Sequence, residues 1–526
     1  MSAVAPAARG GETAGERLMA GAALGIPAWA LASLVLVPLL SGGAPRWDAE
    51  AMRETLPQLF FWVLAGGLLG LAGQAVARFL PGSKKADEGA AAPPAPKTRV
   101  VILGGGFAGL QTAAALETLL AGDPSVAVTL VNETNALLFT PMLAEVAGSS
   151  LEASHISTPL RTSLHTAEFV RARVASIDLP RRRILLASDA ADTAKGMPVR
   201  ELPYDHLVLA LGSVSNYFGQ KGVEEHAFDF KSLLDAIRIR NHVIDMFERA
   251  ARESDPAARR AQLTFVVAGG GFAGVELAGS LNDFCRGILA DYPGLSAEEL
   301  SVVLVHSRDR VLPELSESLG RYAKESMEAR GVTFRLGTRL VDARPGAVVL
   351  SDGELAAETL VWTAGVAPSP LLATLPFARD KRGAVVVEPT MAVPGAPGIW
   401  AVGDSAALTD GRTGKPCPPT AQFAIREGAH LAKNVLAAIR GRAPEPFHFE
   451  ALGALCVVGH QTACAELAVP FARGRTVRFS GLLAWLMWRG IYLSKLPGLE
   501  RKVRVLVDWT IELFFPRDVV QTIELS

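Results

Sequence analysis

The sequence has little cysteine and almost no net charge. Its 526 residues include four cysteines, and no two of them are spaced C-x-x-C. That spacing gives no sign of a zinc ribbon or a thioredoxin-like redox motif, and the sparse usage fits a reducing compartment. The formal net charge is −1 at pH 7, so the composition does not favour nucleic-acid binding, which usually needs a basic stripe. We therefore predict no metal site and no nucleic-acid partner.

Apolar residues, by contrast, are abundant. Hydrophobic residues make up 49% of the chain and the mean hydropathy is +0.26, which is high for a soluble enzyme and indicates membrane contact. A chain of this length is too long for one compact core, so it predicts two to four domains.

Two uncharged stretches near the N-terminus predict a transmembrane hairpin. Residues 18–45 and 55–77 contain no charged side chain, and each approaches the ~20 residues that a helix needs to cross ~30 Å of hydrocarbon. A cleaved signal peptide followed by one anchor is the alternative. A flexible linker rich in proline, glycine and alanine is expected at 81–98. By the positive-inside rule, basic residues after the second stretch place the catalytic domains on the cytoplasmic side of the cell inner or plasma membrane. They are Arg78, Lys84, Lys85, Lys97 and Arg99.

A glycine-rich turn lies between a strand pattern and a helical pattern in RVVILGGGFAGLQTAAALETLL (99–120). Gly104, Gly106 and Gly109 form G-x-G-x-x-G, which allows a tight turn, close approach of a diphosphate and close packing of the helix on the strand. The diphosphate would sit on the free N–H groups at the start of the helix. A further strand pattern follows at 126–133, so the segment predicts a dinucleotide-binding βαβ unit.

The same phrase returns in LTFVVAGGGFAGVELAGSL (263–281), where the glycines are Gly269, Gly271 and Gly274. One such turn is a weak signal, because an ordinary βα loop can carry it, but two in the same context predict two dinucleotide sites. A chain with two such folds most often binds FAD in the first and NAD(P)H in the second. We therefore expect an α/β fold with two Rossmann-like dinucleotide-binding domains.

The position that usually binds the ribose through a carboxylate is altered in both halves. In the first half the strand ends in Asn132 and Glu133, either of which could reach the ribose. In the second half His306 takes this position, with Arg308 and Arg310 nearby. A carboxylate there would repel a 2′-phosphate and an arginine could hold one, so NADPH could be accepted beside NADH.

With these turns and further segments, the sequence resembles the type II NADH:quinone oxidoreductases, which are NADH dehydrogenases that do not pump protons. This family belongs to the flavoproteins similar to pyridine nucleotide-disulfide oxidoreductases. The resemblance covers roughly 99–520, and it implies FAD and NADH as cofactors and a membrane quinone as electron acceptor. Disulfide reductases of this superfamily carry a cysteine pair after the first glycine helix, whereas 107–150 contain no cysteine. The segments that carry the resemblance are NALLFTPMLAEVAG (135–148), VRARVASIDLP (170–180), YDHLVLALGSVSNYFG (204–219), FKSLLDA (230–236), VWTAGV (361–366), GIWAVGDSA (398–406) and PPTAQFAIREGAHLAKNV (418–435).

The resemblance implies cofactor contacts residue by residue. Phe139 and Pro141 would lie under the flavin, and the backbone of Val174 would meet the adenine. Asp404 would bind the ribityl chain, with a turn or cap aspartate as the alternative. The other cofactor-binding positions that it implies are Phe107, Ala108, Gly212, Ala364, Gly365 and Gly403.

Two residues are expected to act in catalysis. By the resemblance, Glu276 lies where the nicotinamide meets the flavin; the alternative is an acid that interacts with the helix dipole. Ala421, Gln422 and Ala424 match the family's quinone-side motif A-Q-x-A-x-Q, whereas Arg426 replaces the second glutamine. We therefore expect Gln422 at the quinone, with Arg426 leaving the headgroup preference open. Gln422 could instead only cap or pack near the flavin.

The C-terminal part at 479–515 also resembles the family. Apolar and aromatic residues recur there at helical spacing, and Trp485, Trp488 and Trp509 suit a membrane interface in contact with lipid. A helix packed on the protein or on a dimer partner is the alternative, and the resemblance allows a homodimer. The expected boundaries are a transmembrane hairpin at 18–80, a linker at 81–98, an FAD-binding domain at 99–231 and 365–440, an NAD(P)H-binding domain at 232–364, and a membrane-interface or dimerisation region at 441–526.

Two other functions remain open from the sequence. A membrane-tethered NAD(P)H-dependent flavoprotein reductase could donate electrons to a protein acceptor such as ferredoxin. A redox-sensing protein could keep the flavin fold without turnover. Quinone reduction would distinguish the enzyme from the first, and fast flavin reduction by NADH would distinguish it from the second.

Overall fold

The computed structural model describes most of the chain after residue 96. The described residues are 97–187, 200–469 and 475–521, together with 21, 25, 28–43, 45, 54–55, 57–59 and 61–69 near the N-terminus.

From residue 97 onward, the described strands and helices are numbered in chain order. The strands are β1 (Thr98–Leu103), β2 (Val126–Asn132), β3 (Ala136–Leu138), β4 (Ser157–Pro159), β5 (Glu168–Arg171), β6 (Val174–Asp178), β7 (Arg183–Leu186), β8 (Glu201–Pro203), β9 (His206–Leu209), β10 (Ser213–Ser215), β11 (Phe228–Asp229), β12 (Thr264–Ala268), β13 (Ser301–His306), β14 (Val332–Leu336), β15 (Leu340–Arg344), β16 (Ala347–Leu350), β17 (Gly353–Ala356), β18 (Thr359–Trp362), β19 (Val366–Pro368), β20 (Val385–Val386), β21 (Ile399–Ala401), β22 (Ala406–Ala407), β23 (Gly453–Gly459), β24 (Thr462–Ala468) and β25 (Thr476–Ser480). The α-helices are α1 (Phe107–Leu120), α2 (Leu143–Ala147), α3 (Leu160–Ser163), α4 (Lys221–His226), α5 (Leu233–Ala250), α6 (Pro256–Gln262), α7 (Phe272–Ile288), α8 (Glu317–Glu328), α9 (Ala421–Ile439), α10 (Gly481–Lys495) and α11 (Leu499–Glu512).

The first parallel sheet carries the first glycine turn at the end of β1. Its strand order is β21-β9-β1-β2-β5, and all neighbouring strands run parallel. The last four residues of β1, VVIL, are buried, as expected for an apolar run in a central parallel strand. Helix α1 crosses from β1 to β2 and packs against α9. The sheet order changes direction at β1, and α/β sheets bind ligands at such a switch point.

The second parallel sheet repeats this arrangement around the second glycine turn. Its order is β11-β18-β12-β13-β14, with α7 crossing from β12 to β13. An antiparallel sheet, β15-β16-β17, extends the same part of the chain. The chain enters this sheet at β11 and returns to the first sheet at β21. The expected α/β fold with two dinucleotide-binding units is confirmed.

The C-terminal part consists of the antiparallel sheet β23-β24-β25 followed by α10 and α11. Strand β23 packs against α7, and α10 packs against β24. The side chains of Trp485, Trp488 and Trp509 are only 5%, 1% and 5% exposed. The expectation that these tryptophans lie at a membrane interface is therefore wrong. They join an apolar core shared with α2 and α7, because burial there removes their large ring surfaces from water.

One face of α11 and the turn after it nevertheless stays apolar and exposed. The exposed residues recur at close to helical spacing and we call them the α11 stripe: Val503, Val507, Ile511, Phe514 and Phe515.

Much of the expected hairpin and nearly all of the expected linker lie outside the described residues. Among the residues that the structure does describe, no helix is long and apolar enough to cross a bilayer. The described parts of the two N-terminal stretches contact each other: Trp29 Nε1 donates to Thr55 O at 3.0 Å and Ser33 Oγ donates to Gln58 Oε1 at 2.9 Å. Trp29 also belongs to a small apolar cluster against which Leu486 of α10 packs.

Candidate functional site

The two glycine turns have the same geometry. Gly104 has φ +107° and Gly269 has φ +130°, a region that side-chain-bearing residues rarely adopt. A Cβ on Gly109 would collide with the carbonyl oxygen of Gly104, and a Cβ on Gly274 would collide with that of Gly269. Only glycine therefore lets each helix start this close to its strand.

The helices that follow these turns begin without a cap. Neither α1 nor α7 has a side-chain hydrogen bond at its N-cap or an acidic residue in its first turn. Two other helices are capped by side chains: α5 has a capping box of Ser232 and Asp235, and Asp255 caps α6. The N-cap residue of α1, Gly106, has open space where a Cβ would stand. Free N–H groups and the positive helix end are thus left for an anion such as a diphosphate.

The residues at the two altered ribose positions hold the turns. Asn132 Oδ1 accepts the N–H of Gly105 at 2.8 Å, and His306 Nδ1 accepts the N–H of Gly270 at 3.1 Å. The other end of Asn132 donates to Thr134. Asn132 is therefore engaged by the protein, and the exposed Glu133 beside it carries the free carboxylate. Burial lowers the pKa of His306, so its imidazole is neutral at pH 7.

Gly403 and Asp404 follow β21, the strand by which the chain returns to the first sheet, and they lie beside the first glycine turn. Gly403 has φ +64°, and a Cβ there would stand 3.2 Å from Ala108 on α1. Asp404 Oδ2 accepts a 2.6 Å hydrogen bond from Ser213 Oγ, which also accepts from Lys231 Nζ at 2.9 Å. Burial lowers the pKa of Lys231. The Asp404 carboxylate is thus held by a chain of hydrogen bonds from β10 and the segment before α5.

A buried acid lies beneath the same turn. Glu427 of α9 accepts the Gly403 N–H at 2.9 Å, and burial raises its pKa to about 7. Glu427, Lys231 and Ser213 were not predicted from the sequence. A charged residue inside an otherwise apolar helix face was the only available signal for Glu427.

Phe139 and Pro141 lie beside the first turn. The buried Phe139 ring packs edge-on against two other rings. Its centre lies 5.9 Å from the ring centre of Phe107 and 6.2 Å from that of Tyr492 on α10. Pro141 lines a cleft that also borders α2 and α7. Val174 stands at the start of β6 and is half-buried, whereas Phe139 is fully buried.

The junction between the sheets holds the other expected positions. Gly212 has φ +67° and accepts the Ser369 N–H at 3.1 Å. Ala364 is exposed, and a Cβ on Gly365 would collide with the backbone of Asn216.

The first turn of α9 holds the expected quinone-side residues. Both ends of the Gln422 amide bind the start of the C-terminal sheet: Oε1 accepts the Leu452 N–H at 2.9 Å and Nε2 donates to Gly453 O at 3.2 Å. The guanidinium of Arg426 lies 5.5 Å from the centre of the Phe449 ring. Ala421 begins the helix. Gln422 therefore fastens the start of α9 to the start of the C-terminal sheet.

A small cleft lies between α2, α7 and the C-terminal part. Glu276 and Glu145 both line it. Burial raises the pKa of Glu276 to about 8, although the Val457 N–H donates to its Oε1 at 3.2 Å and lowers the pKa. Burial likewise raises the pKa of Glu145 to about 7, with Trp509 Nε1 donating to Oε2 at 3.2 Å. Near neutral pH, burial therefore shifts both carboxyl groups of the cleft toward their protonated forms.

The cleft is closed by a buried ion network that the sequence analysis also missed. Glu512 lies between two arginines, with Arg489 Nη2 at 2.7 Å and Arg517 Nη2 at 3.1 Å. The Arg489 guanidinium lies 3.9 Å from the ring centre of Trp485 and 4.6 Å from that of Trp509. Arg517 also donates to the carbonyl oxygens of residues 148 and 280. The network thus joins α10 and α11 to both nucleotide-binding units.

Two open glycine turns at the switch points of two parallel sheets define a two-domain, dinucleotide-binding oxidoreductase. Comparisons with known proteins agree. Residues 98–428 match the model described as pyridine nucleotide-disulphide oxidoreductase, and 452–518 match the NDH2 C-terminal domain. The chain is 30% identical to the type II NADH:quinone oxidoreductase Ndh of Mycobacterium tuberculosis over 439 residues, which cover 81% of this chain and 90% of that protein.

Two further comparisons agree with this one. The chain is 32% identical over 371 residues to a type II NADH:quinone oxidoreductase of Staphylococcus epidermidis, covering 69% of this chain and 88% of the relative. The fold matches the structure of NDH2 from Plasmodium falciparum in complex with NADH, with a TM-score of 0.72 at 18% identity, over 81% of this chain and 100% of that one. The chain belongs to the type II NADH:quinone oxidoreductase family, and the resemblance stated from the sequence is confirmed.

The raised pKa of Glu276 predicts a pH-dependent stability. Between about pH 4.5 and 8 the folded state keeps a proton on Glu276 that the unfolded chain loses, so the free energy of unfolding falls as pH rises through this window. Glu276→Gln removes the effect while keeping an acceptor for Val457. We expect its unfolding free energy relative to wild type to rise from pH 5 to pH 8 by about 1 kcal/mol or more.

Chemical denaturation of the FAD-loaded protein in detergent at the two pH values measures this change. Glu225→Gln, at an exposed glutamate of α4, is the matched control and should show no such trend. A constant difference between Glu276→Gln and wild type at both pH values would contradict the burial of a protonated carboxyl group.

Proposed function

We propose that the chain is an FAD-dependent NADH:quinone oxidoreductase that carries two electrons from NADH to a membrane quinone without pumping protons. The observation that supports this most is the pair of open, uncapped glycine turns, one in each parallel sheet. The family relatives carry this reaction in their names.

The residues of the first unit fit FAD. The open α1 N-terminus would take the diphosphate, and the exposed Glu133 would reach a ribose. Asp404, oriented by Ser213 and Lys231, would hold the ribityl chain, and Phe139 would support the ring. When bound, FAD would accept a hydride from NADH and pass two electrons to the quinone.

The second unit would bind NADH at the N-terminus of α7. Its diphosphate would meet the free N–H groups of the turn at Gly269, Gly271 and Gly274, with Ala364 and Gly365 beside the path to the first unit. Glu276, on α7, would lie where the nicotinamide reaches the first unit.

Reduction of a quinone by two electrons also needs two protons. Glu276 and Glu145 line one cleft, and their burial raises both pKa values, which favours the protonated carboxyl groups near pH 7. We place the proton supply for the reaction at these two carboxyl groups.

The first turn of α9 would form the quinone side. Gln422 is fixed by its bonds to residues 452 and 453, so its amide has a defined position rather than a mobile one. Arg426, held over the Phe449 ring, brings a positive charge where the family motif has a neutral amide.

Truncation of Gln422 tests the quinone assignment. We expect Gln422→Ala to lower kcat with a quinone analogue by about tenfold and to leave NADH oxidation with ferricyanide almost unchanged, because only the quinone step needs this amide. Steady-state assays with quinone, ferricyanide and ferredoxin measure this in the wild type and the variant. Lys433→Ala, on an exposed position of the same helix, is the control.

Two outcomes would count against the assignment. Equal losses with quinone and ferricyanide would mean that Gln422 only holds α9 to β23. Ferredoxin reduction without quinone reduction by the wild type would contradict the proposed acceptor.

Membrane attachment would combine an anchor and a surface contact. The N-terminal stretches would form a transmembrane hairpin, supported by the contacts between Trp29 and Thr55 and between Ser33 and Gln58. The packing of this region on Leu486 of α10 would place α10 and α11 at the cytoplasmic face of the inner or plasma membrane. There the α11 stripe could enter the lipid surface.

Vesicle flotation tests both contacts. We expect the full chain to float with vesicles at high salt, and a chain lacking residues 1–96 to float more weakly. In the shortened chain, Val507→Asp with Ile511→Asp should abolish flotation because charged side chains resist burial in lipid. Arg181→Gln, on the exposed surface of the first unit, is the control. A full chain that stays with the soluble fraction would contradict the anchor.

A further inference from the structure

In both nucleotide sites the side chain at the altered ribose position holds the glycine turn. The two sites differ in the side chains that follow this position in the sequence. In each half the residue at this position accepts the N–H of the glycine that follows the first motif glycine: Asn132 accepts from Gly105, and His306 accepts from Gly270. Neither side chain is therefore free to grip a ribose as a carboxylate would. The difference between the halves lies in the next exposed side chains.

The first half supplies a carboxylate at once. Glu133 follows Asn132 and is exposed, and only its backbone oxygen is used by the protein, as an acceptor for Arg171. A carboxylate in that place binds a ribose 2′-hydroxyl and repels a 2′-phosphate. This half therefore suits a nucleotide with a free ribose hydroxyl, such as FAD.

The second half supplies a cation instead. Ser307 and Arg308 follow His306, and both are exposed. The Arg308 side chain makes no hydrogen bond or ion pair with another described residue, and its charge acts on His306. Its backbone oxygen accepts the Gly337 N–H at 2.8 Å, so the base of the side chain is fixed while the guanidinium stays available.

Arg310 is not equivalent to Arg308. Its guanidinium donates to Leu315 O at 3.1 Å and to Pro313 O at 2.8 Å, so it shapes the loop after β13. Two acids are also near: Asp309 is exposed beside Arg308, and Glu314 faces the N-cap Gly271. Glu314 lies at the diphosphate end of the site, which both NADH and NADPH share, so Asp309 is the acid that could oppose a 2′-phosphate.

We infer that the second site accepts NADPH as well as NADH, and that Arg308 binds the 2′-phosphate. The inference rests on the proposed function, because it presumes that this site binds the electron donor. A guanidinium with free N–H donors matches a phosphate in charge and geometry. It attracts the 2′-phosphate most strongly when no carboxylate occupies the ribose position. His306 contributes by being neutral and by pointing its acceptor at the turn.

The test measures flavin reduction under anaerobic conditions, so that it does not depend on any quinone. We expect the wild-type protein to be reduced by NADPH with an apparent second-order rate constant within about tenfold of that for NADH. Arg308→Gln should lower the apparent rate constant for reduction by NADPH by about tenfold or more, and the rate constant for NADH by less than about twofold. His306→Glu, which keeps an acceptor for Gly270, should lower the NADPH value by about a hundredfold.

A binding readout separates recognition from chemistry. 2′,5′-ADP should compete with NADH more strongly than 5′-AMP in the wild type, and this preference should vanish in Arg308→Gln. Arg181→Gln removes an exposed arginine far from the site and should change neither ratio. Asp309→Asn should raise the NADPH value, because it removes the one opposing charge.

The outcomes distinguish this inference from the proposed function. Fast reduction by NADH with no reduction by NADPH and no preference for 2′,5′-ADP would overturn the inference and leave the quinone assignment intact. Equal losses for both donors in Arg308→Gln would also overturn it, since Arg308 would then only support the loop. Reduction by both donors without quinone turnover would sustain the inference and contradict the proposed function.

Discussion

The pairing of Glu512 with Arg489 and Arg517 holds the molecule in the arrangement on which its chemistry depends. Burial acts to raise the pKa of Glu512, but the two arginines keep it below its ordinary value, so the acid stays charged. Arg517 reaches the carbonyl oxygens of residues 148 and 280, in the first and second units. Removal of one partner from such a buried network typically costs about 3–5 kcal/mol, since it leaves a charge without compensation. The C-terminal part therefore connects the two nucleotide-binding units.

Arg489, Glu512 and Arg517 also line the cleft that contains the carboxyl groups of Glu145 and Glu276. Glu145 lies 3.8 Å from Arg489 and accepts a hydrogen bond from Trp509, yet burial still dominates its pKa. Glu276 accepts the Val457 N–H at 3.2 Å, and burial raises its pKa to about 8. The nearby Arg489 lowers the pKa of Glu145, whereas the charge of Glu145 raises the pKa of Glu276. Two carboxyl groups that interact in this way titrate as a coupled pair.

The local features of the site could be predicted from the sequence, and the long-range ones could not. The glycine turns are set by residues within ten positions of each other, so Gly104 and Gly269 could be placed from the motif alone. The function of Asn132 and His306 in holding the turns was missed, because it depends on contacts across 27 and 36 residues. Trp509 suited a membrane interface by its neighbours in sequence, but its partner Glu145 stands 364 residues away and draws it inside. No periodicity reports such a pairing.

The most direct test of the account is an anaerobic double-mixing experiment on the detergent-purified, FAD-loaded protein. NADH is mixed first, and a menaquinone or ubiquinone analogue is added once the flavin absorbance has been bleached. We expect rapid bleaching by NADH, then recovery of the oxidised flavin spectrum by quinone at least as fast as steady-state turnover. Bleaching that persists in the presence of quinone would contradict the central claim, since electrons would then enter the first unit without leaving it for a quinone.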